Sequence, residues 1–135
     1  MDLKRVENIR KNKSRYALWI DLDKKVFHEN RKGSIGLFSK RIIGRLLCFM
    51  VMNAGKEYNF EELYESVWCL QGNNITEEAV VKTNISRLRE LIEPSHKWKY
   101  IMKTEPFLGV RGKYYFNPDS NYCMIHPDSF QLFKI

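Results

Sequence analysis

Lys82, Thr83, Ser86, Arg87 and Arg89 are the residues whose chemistry is easiest to place, because all five fall within the stretch EEAVVKTNISRLRELIEP, positions 77–94. Val81, Ile85, Leu88 and Ile92 recur there at i, i+4, i+7 and i+11, the spacing of one buried stripe on an α-helix. At about 100° per residue the opposite face presents Ala79, Thr83, Ser86 and Arg87, with Lys82 and Arg89 at its edges. Such a face offers hydrogen bonding rather than catalysis. A helix with short side chains fits the major groove of duplex DNA, where arginine can read guanine and threonine can meet a thymine methyl, while lysine and arginine at the edges hold phosphates. The same face also reads as an ordinary solvated helix surface, and the helix alone does not separate the two.

The elements that must hold this helix are marked along the chain. YALWID and KKVFH alternate apolar and polar residues about a turn near Asp23, which predicts a short antiparallel hairpin. Gly33 and Gly36 punctuate the exit from it. Ser39 is placed to cap a helix running to about Asn53, and Asn53-Ala54-Gly55 stops that helix. Asn59 with Glu62 three residues on resembles a capping box for a second helix that ends near Trp68. CLQGNNI, 69–75, is a loop of turn formers, and Thr76 or Asn74 caps the third helix, which Pro94 terminates. A hairpin follows, with Pro106 and Gly109 at its tip and Gly112 at the return.

These elements in this order resemble the OmpR/PhoB-type winged-helix domains, the DNA-binding output modules of many bacterial response regulators. VVKTNISRLRELIEP looks like that family's recognition helix, NAGKEYNFEELYESVW (53–68) is similar to its second helix, and YIMKTEPFLGVRGKYYF (100–116) resembles its wing hairpin. The resemblance covers about 16–117. It implies an α+β fold, a winged helix-turn-helix of three helices with an N-terminal antiparallel β-hairpin or small sheet and a C-terminal β-hairpin wing. It divides the chain into a basic arm or helix (1–15), the winged-helix domain (16–117) and a tail (118–135). The chain departs from the family's usual pattern at LFSKRIIGRL, which lacks an early Glu, and in a longer wing loop from Glu105 to Lys113.

Carried over residue by residue, the resemblance places Thr83 and Arg87 at base edges and Lys82, Ser86 and Arg89 at or beside phosphate positions. Asn84 stands where the family often has a phosphate-holding His, although its angle lies at the edge of the buried stripe. Lys103, Arg111 and Lys113 become wing residues, with Arg111 nearest the tip and able to enter a narrow minor groove, where negative potential is enhanced. Trp68 reads as core or as a backbone-contacting edge rather than a base stacker.

Charge agrees with a polyanionic partner. The 135 residues carry a net charge of +7. Residues 1–45 hold 13 Lys or Arg against 5 Asp or Glu, 46–93 hold 4 against 8, and 94–135 hold 6 against 3. Glu57, Glu61, Glu62 and Glu65 put much of the acidic middle on the second helix, a surface that should face away from DNA or toward a basic protein. No apolar run is long enough to span a bilayer and no secretory segment is apparent, which favours a cytoplasmic protein that does not engage membrane.

Enzymatic chemistry finds little footing. His28, His96 and His126 are scattered, and Cys123-x-x-His126 lacks the second half of a zinc site. Cys48, Cys69 and Cys123 have no disulfide spacing. No phosphate-cradling glycine loop or nucleophile motif is present, and Glu77-Glu78 are explained by the helix dipole. No catalytic residue, metal ligand or cofactor is therefore expected, and a receiver domain would need more than 100 further residues.

The reading is a sequence-specific double-stranded DNA-binding transcriptional regulator, with helix 77–93 in the major groove and wing 101–116 on the minor groove or backbone. A single helix and wing cover few base pairs, so homodimers or tandem copies on DNA are expected, and loop 69–75 is open to contact with the transcription machinery. The alternative is a winged-helix protein-protein module with little or no DNA affinity, using the acidic second helix and the aromatic tail. For that tail, Tyr122, Phe130, Phe133 and Ile135 look exposed, and packing on the domain body is favoured over partner docking.

Overall fold

The computed structural model describes residues 15–36, 41–68, 77–93 and 99–125. The expected caps Ser39, Asn74 and Thr76, the 69–75 loop, Pro94, His96, His126 and the tail aromatics Phe130 and Phe133 lie outside the described residues, as does the arm before Arg15.

Three strands open the described chain: β1 (Leu18–Asp21), β2 (Val26–Glu29) and β3 (Gly33–Gly36). β1 and β2 pair antiparallel with Leu18 opposite Glu29 and Asp21 opposite Val26, across a turn that includes Asp23. The Gly33–Gly36 segment, expected only as an exit from the hairpin, is instead an edge strand paired antiparallel with β2. The reason is Ile35, which is half-buried against the core and gives an otherwise weak GSIG segment an apolar anchor. A fourth strand, β6 (Tyr122–Ile125), lies parallel to β1 on its other side, giving the order β3-β2-β1-β6. All four residues of β1 are buried, as befits a strand flanked on both sides.

Alternation along these strands separates two faces. Leu18, Ile20 and Phe27 point into the main core, with Tyr122 and Met124 packed against it. Trp19 and Ile125 form a small second cluster with Tyr16, Val26 and Cys123 on the other face. Tyr122 is therefore half-buried rather than exposed, its ring edge-on to Phe116 at 4.9 Å.

Helix α1 (Arg41–Met52) buries Ile43, Leu46, Leu47, Cys48, Met50 and Val51 in the core. Burial pushes the Cys48 thiol up to about 12, so it packs as a small apolar group. Helix α2 (Phe60–Leu63) begins at the expected capping box: Asn59 Oδ1 accepts from Glu62 N–H at 2.8 Å, and Glu62 Oε1 accepts from Asn59 N–H at 3.0 Å. The α-helical register lasts one turn and then widens into a π-turn over Tyr64–Trp68, a feature that apolar periodicity did not reveal. The wider turn brings Tyr64 and Trp68 into a stack, 5.6 Å between centroids and 13° between planes, with Trp68 half-buried on the core.

Helix α3 (Glu77–Ile92) packs on both α1 and α2. Its stripe Val81, Ile85, Leu88 and Ile92 is buried to 2% exposure or less. Strands β4 (Ile101–Lys103) and β5 (Tyr114–Phe116) pair antiparallel to make the wing. Tyr58 adds a bridge to the outer edge of β5 through reciprocal backbone bonds of 2.8 and 2.7 Å with Tyr114. The result is the α+β winged-helix architecture, three helices between N-terminal strands and a C-terminal wing. Among the described residues no helix is long and apolar enough to cross a membrane.

Candidate nucleic-acid interface

Two elements meet to form one surface: the solvent side of α3 and the wing beside it. On α3, Ala79, Thr83, Ser86 and Arg87 are exposed, opposite the buried stripe. Thr83 and Arg87 stand one turn apart, so a single groove could receive both. Asn84 is half-buried and its Nδ2 donates to the Val80 carbonyl at 2.9 Å, which spends part of its hydrogen-bonding capacity inside the helix. Arg89 is half-buried on the flank of the last turn.

Lys82 is exposed and bonds Glu78 Oε1 at 2.9 Å, an i,i+4 pair. The other oxygen of Glu78 receives Arg111 from the wing, in a charge-assisted hydrogen bond. Glu78 thus takes one cation from the helix and one from the wing, and joins the two elements across 33 residues of chain. The hydrogen bond from Lys82, then that from Arg111, holds its carboxyl below the ordinary glutamate range. The Arg111 guanidinium also lies 5.4 Å from the Phe60 ring centroid, a cation–π contact to the start of α2. Lys103 reaches over the Tyr114 ring at 5.6 Å. Lys113 is half-buried, and its backbone N–H donates to Thr104 Oγ1 at 2.7 Å, bracing the stem of the wing loop.

The loop from β4 to β5 narrows at Phe107–Val110, where reciprocal backbone bonds of 3.0 and 2.9 Å close a two-residue turn. Leu108 (φ 49°) and Gly109 (φ 78°) both have positive φ, the signature of a type I′ turn. Closer to the stem, Gly112 is buried where the two sides approach: a Cβ there would lie 2.2 Å from the Thr104 carbonyl oxygen. A cavity of about 500 Å³ separates the wing from α3, lined among others by Phe60, Glu78, Lys82, Phe107 and Arg111.

The nine residues expected at the interface therefore fall into two groups. Thr83, Ser86 and Arg87 are exposed on α3, while Lys82, Lys103 and Arg111 gather around Glu78 and the cavity beside the wing. Asn84, Arg89 and Lys113 are each partly withdrawn. Sequence pattern alone gives Glu78 no role beyond the helix dipole and Phe60 none. The spacing Glu78-x-x-x-Lys82 is the signal that could have found the first pair, but no local pattern points from position 78 to 111.

No curated protein matches this chain. A family model described as "Transcriptional regulatory protein, C terminal" matches residues 41–110, just over half the chain, from the first described residue of α1 to the apex of the wing. With that match on the same helices and wing that the geometry brings together, the chain belongs to the transcriptional regulatory protein C-terminal family, the OmpR/PhoB-type winged-helix DNA-binding domains.

Proposed function

We propose that this chain is a sequence-specific, double-stranded DNA-binding transcriptional regulator of the cytoplasm, reading base edges with Thr83 and Arg87 and holding phosphates with Lys82, Ser86, Arg89, Lys103 and Lys113. The observation that carries the reading is the exposure of Thr83, Ser86 and Arg87 on the face of α3 opposite its buried stripe. A surface of hydroxyl and guanidinium groups with cationic edges offers base-edge hydrogen bonds at its centre and phosphate contacts at its rim. Asn84 contributes less, because its amide already bonds Val80. Arg111 serves the wing only after exchanging Glu78 for a phosphate, a substitution of one anion for another. One helix and one wing span few base pairs, so selectivity requires paired or tandem copies on repeated half-sites.

Binding of the full chain to random duplex DNA, measured across a salt series, tests this reading. Affinity is expected to fall linearly on a log-log scale, with a slope near −0.9 for each phosphate neutralised. Absence of duplex binding at low salt, or a flat salt response, would overturn it in favour of a protein-assembly module.

A further inference from the structure

We propose that the apex of the wing is an apolar wedge that inserts into the DNA minor groove and bends the duplex, so that this surface grips its site by shape as well as by charge. The proposal rests on the DNA-binding reading above. Among the described residues the exposed large apolar side chains are Met52, Phe107, Leu108 and Val110, and the last three share one turn. Their exposures are 72%, 86% and 61%. A small domain gains nothing in folding from such a cluster in water, so its presence calls for an occupant.

The backbone sharpens the case. A type I′ turn normally takes Asn, Asp or Gly at its first central position, because other residues strain at positive φ. Here the chain carries Leu108 at φ 49°, the most exposed of the large apolar side chains described. The sequence thus keeps a large apolar side chain at the apex against a backbone penalty that Asn would relieve. The reciprocal Phe107–Val110 bonds and the cradle of Gly112 against Thr104 hold the turn in shape, so insertion would order little that is not already ordered.

The surroundings choose DNA over another apolar surface. Lys103, Arg111 and Lys113 flank the turn on the wing, Lys82 faces it across the cavity, and Glu105 is the sole acid between positions 104 and 113. The acid that lines the cavity, Glu78, is bonded by Lys82 and Arg111. The apolar turn shares its cavity with Glu78 and Lys82 of α3. A narrow apolar point ringed by cations matches a groove whose floor is stacked bases and whose rims are phosphates; side chains such as Phe and Leu enter there between base steps, unstack them and kink the helix.

The test uses the full chain, a duplex selected by the wild-type protein from a random pool, and Leu108→Asn and Phe107→Ser variants. Affinity is read with the bend, from energy transfer between the duplex ends, and with the salt slope. Both variants are expected to lose about tenfold in affinity, the scale of one buried apolar side chain, and to leave the duplex nearly straight. Their salt slopes should match wild type, since no cation has been removed. Leu108→Asn should melt no lower than wild type, because Asn accepts the positive φ, so loss of binding cannot be loss of fold. Wild-type affinity and bend in Leu108→Asn, or a straight duplex under the wild-type protein, would overturn the wedge and leave the DNA-binding reading standing. Loss of self-association with DNA affinity and bend intact would assign the apex to a second copy and likewise overturn it. Absence of duplex binding by the wild-type protein at low salt would remove both.

Discussion

The Glu93 carboxylate accepts the backbone N–H of Tyr100 at 2.9 Å, and with it the N–H groups of Lys99 (2.8 Å) and Ile101 (2.9 Å), which ties the end of α3 directly to the start of the wing. Glu93 is only 2% exposed, so an anion sits buried on three backbone donors. Tyr100 continues the connection: its hydroxyl donates to Glu29 Oε2 at 2.9 Å, linking helix and wing to β2. Burial, then the Glu29 hydrogen bond, pushes the Tyr100 phenol up, so it remains a neutral donor. Buried side chains thus hold the end of α3, the start of the wing and β2 together.

Glu93→Ala would leave three backbone N–H groups near β4 without their acceptor. At about 1–3 kcal/mol for each buried unsatisfied donor, less whatever water recovers, a loss of about 3 kcal/mol or more is expected. Glu93→Gln keeps one oxygen for Tyr100 and Ile101 but turns an amide donor toward Lys99 N–H, and should fall between the two. Tyr100→Phe removes a single hydrogen bond to a carboxylate and should cost about 1.5–3 kcal/mol. Chemical denaturation of the three variants checks the order; equal stabilities for Glu93→Ala and wild type would show that the buried carboxylate does not hold the helix to the wing.

Glu78 competes with phosphate for Lys82 and Arg111. Glu78→Gln should therefore raise affinity for duplex DNA of any sequence and steepen the salt slope, by up to about 0.9 for each cation that gains a phosphate. The pH dependence follows from the sign of the shift. A carboxyl held below its ordinary value is ionised in the folded state throughout the neutral range. The contribution of its pairing is fully present above the unfolded value and is lost as pH falls through the lower folded value. Side-chain carboxyl NMR should show Glu78 titrating below an ordinary glutamate, and moving toward it in Arg111→Ala. A normal titration of Glu78 in the wild-type protein would show that Lys82 and Arg111 do not hold its carboxylate.

Gly112→Ala should damage the wing and little else. The added Cβ would fall 2.2 Å from the Thr104 carbonyl, a fixed backbone atom, so the loop must open. Overpacking of this kind costs about 1–3 kcal/mol. Hydrogen exchange is expected to rise at Phe107, Val110 and Lys113, whose N–H groups are bonded within the wing loop, while α1 stays protected. Unchanged exchange in the loop would mean that the two sides of the wing do not need this close approach.

Patterns within one element were legible in the sequence, and contacts between elements were not. The Val81, Ile85, Leu88 and Ile92 stripe and the Asn59–Glu62 capping box follow from residues three to eleven positions apart, which periodicity and capping chemistry constrain strongly. The sheet was harder. GSIG has glycines at both ends and reads as punctuation, yet pairing with β2 makes it a strand; YCMI, in the segment read as a tail, lies parallel to β1, with Leu18 opposite Tyr122. Such pairings are chosen by tertiary packing, which a local window does not contain. The same holds at the interface. The positions of Thr83 and Arg87 on an outer helix face were readable from angle alone, whereas the pairing of Glu78 with Arg111 depends on how the wing folds back over α2 and α3.

Arg87→Ala discriminates base reading from phosphate holding. A bidentate arginine–guanine contact carries sequence information, so its loss should cost about 1–3 kcal/mol on the preferred site and flatten discrimination at one base pair. Lys103→Ala should weaken all duplexes nearly alike, with a salt slope smaller by about one phosphate contact. Both side chains are exposed and lie off the buried stripe, so melting temperature should change little; surface changes are typically within about 0.5 kcal/mol. Comparison at matched stability then isolates recognition from folding. Should Arg87→Ala keep wild-type affinity and base preference on the selected site, α3 is not the reading element, whatever the wing and its cations contribute to binding.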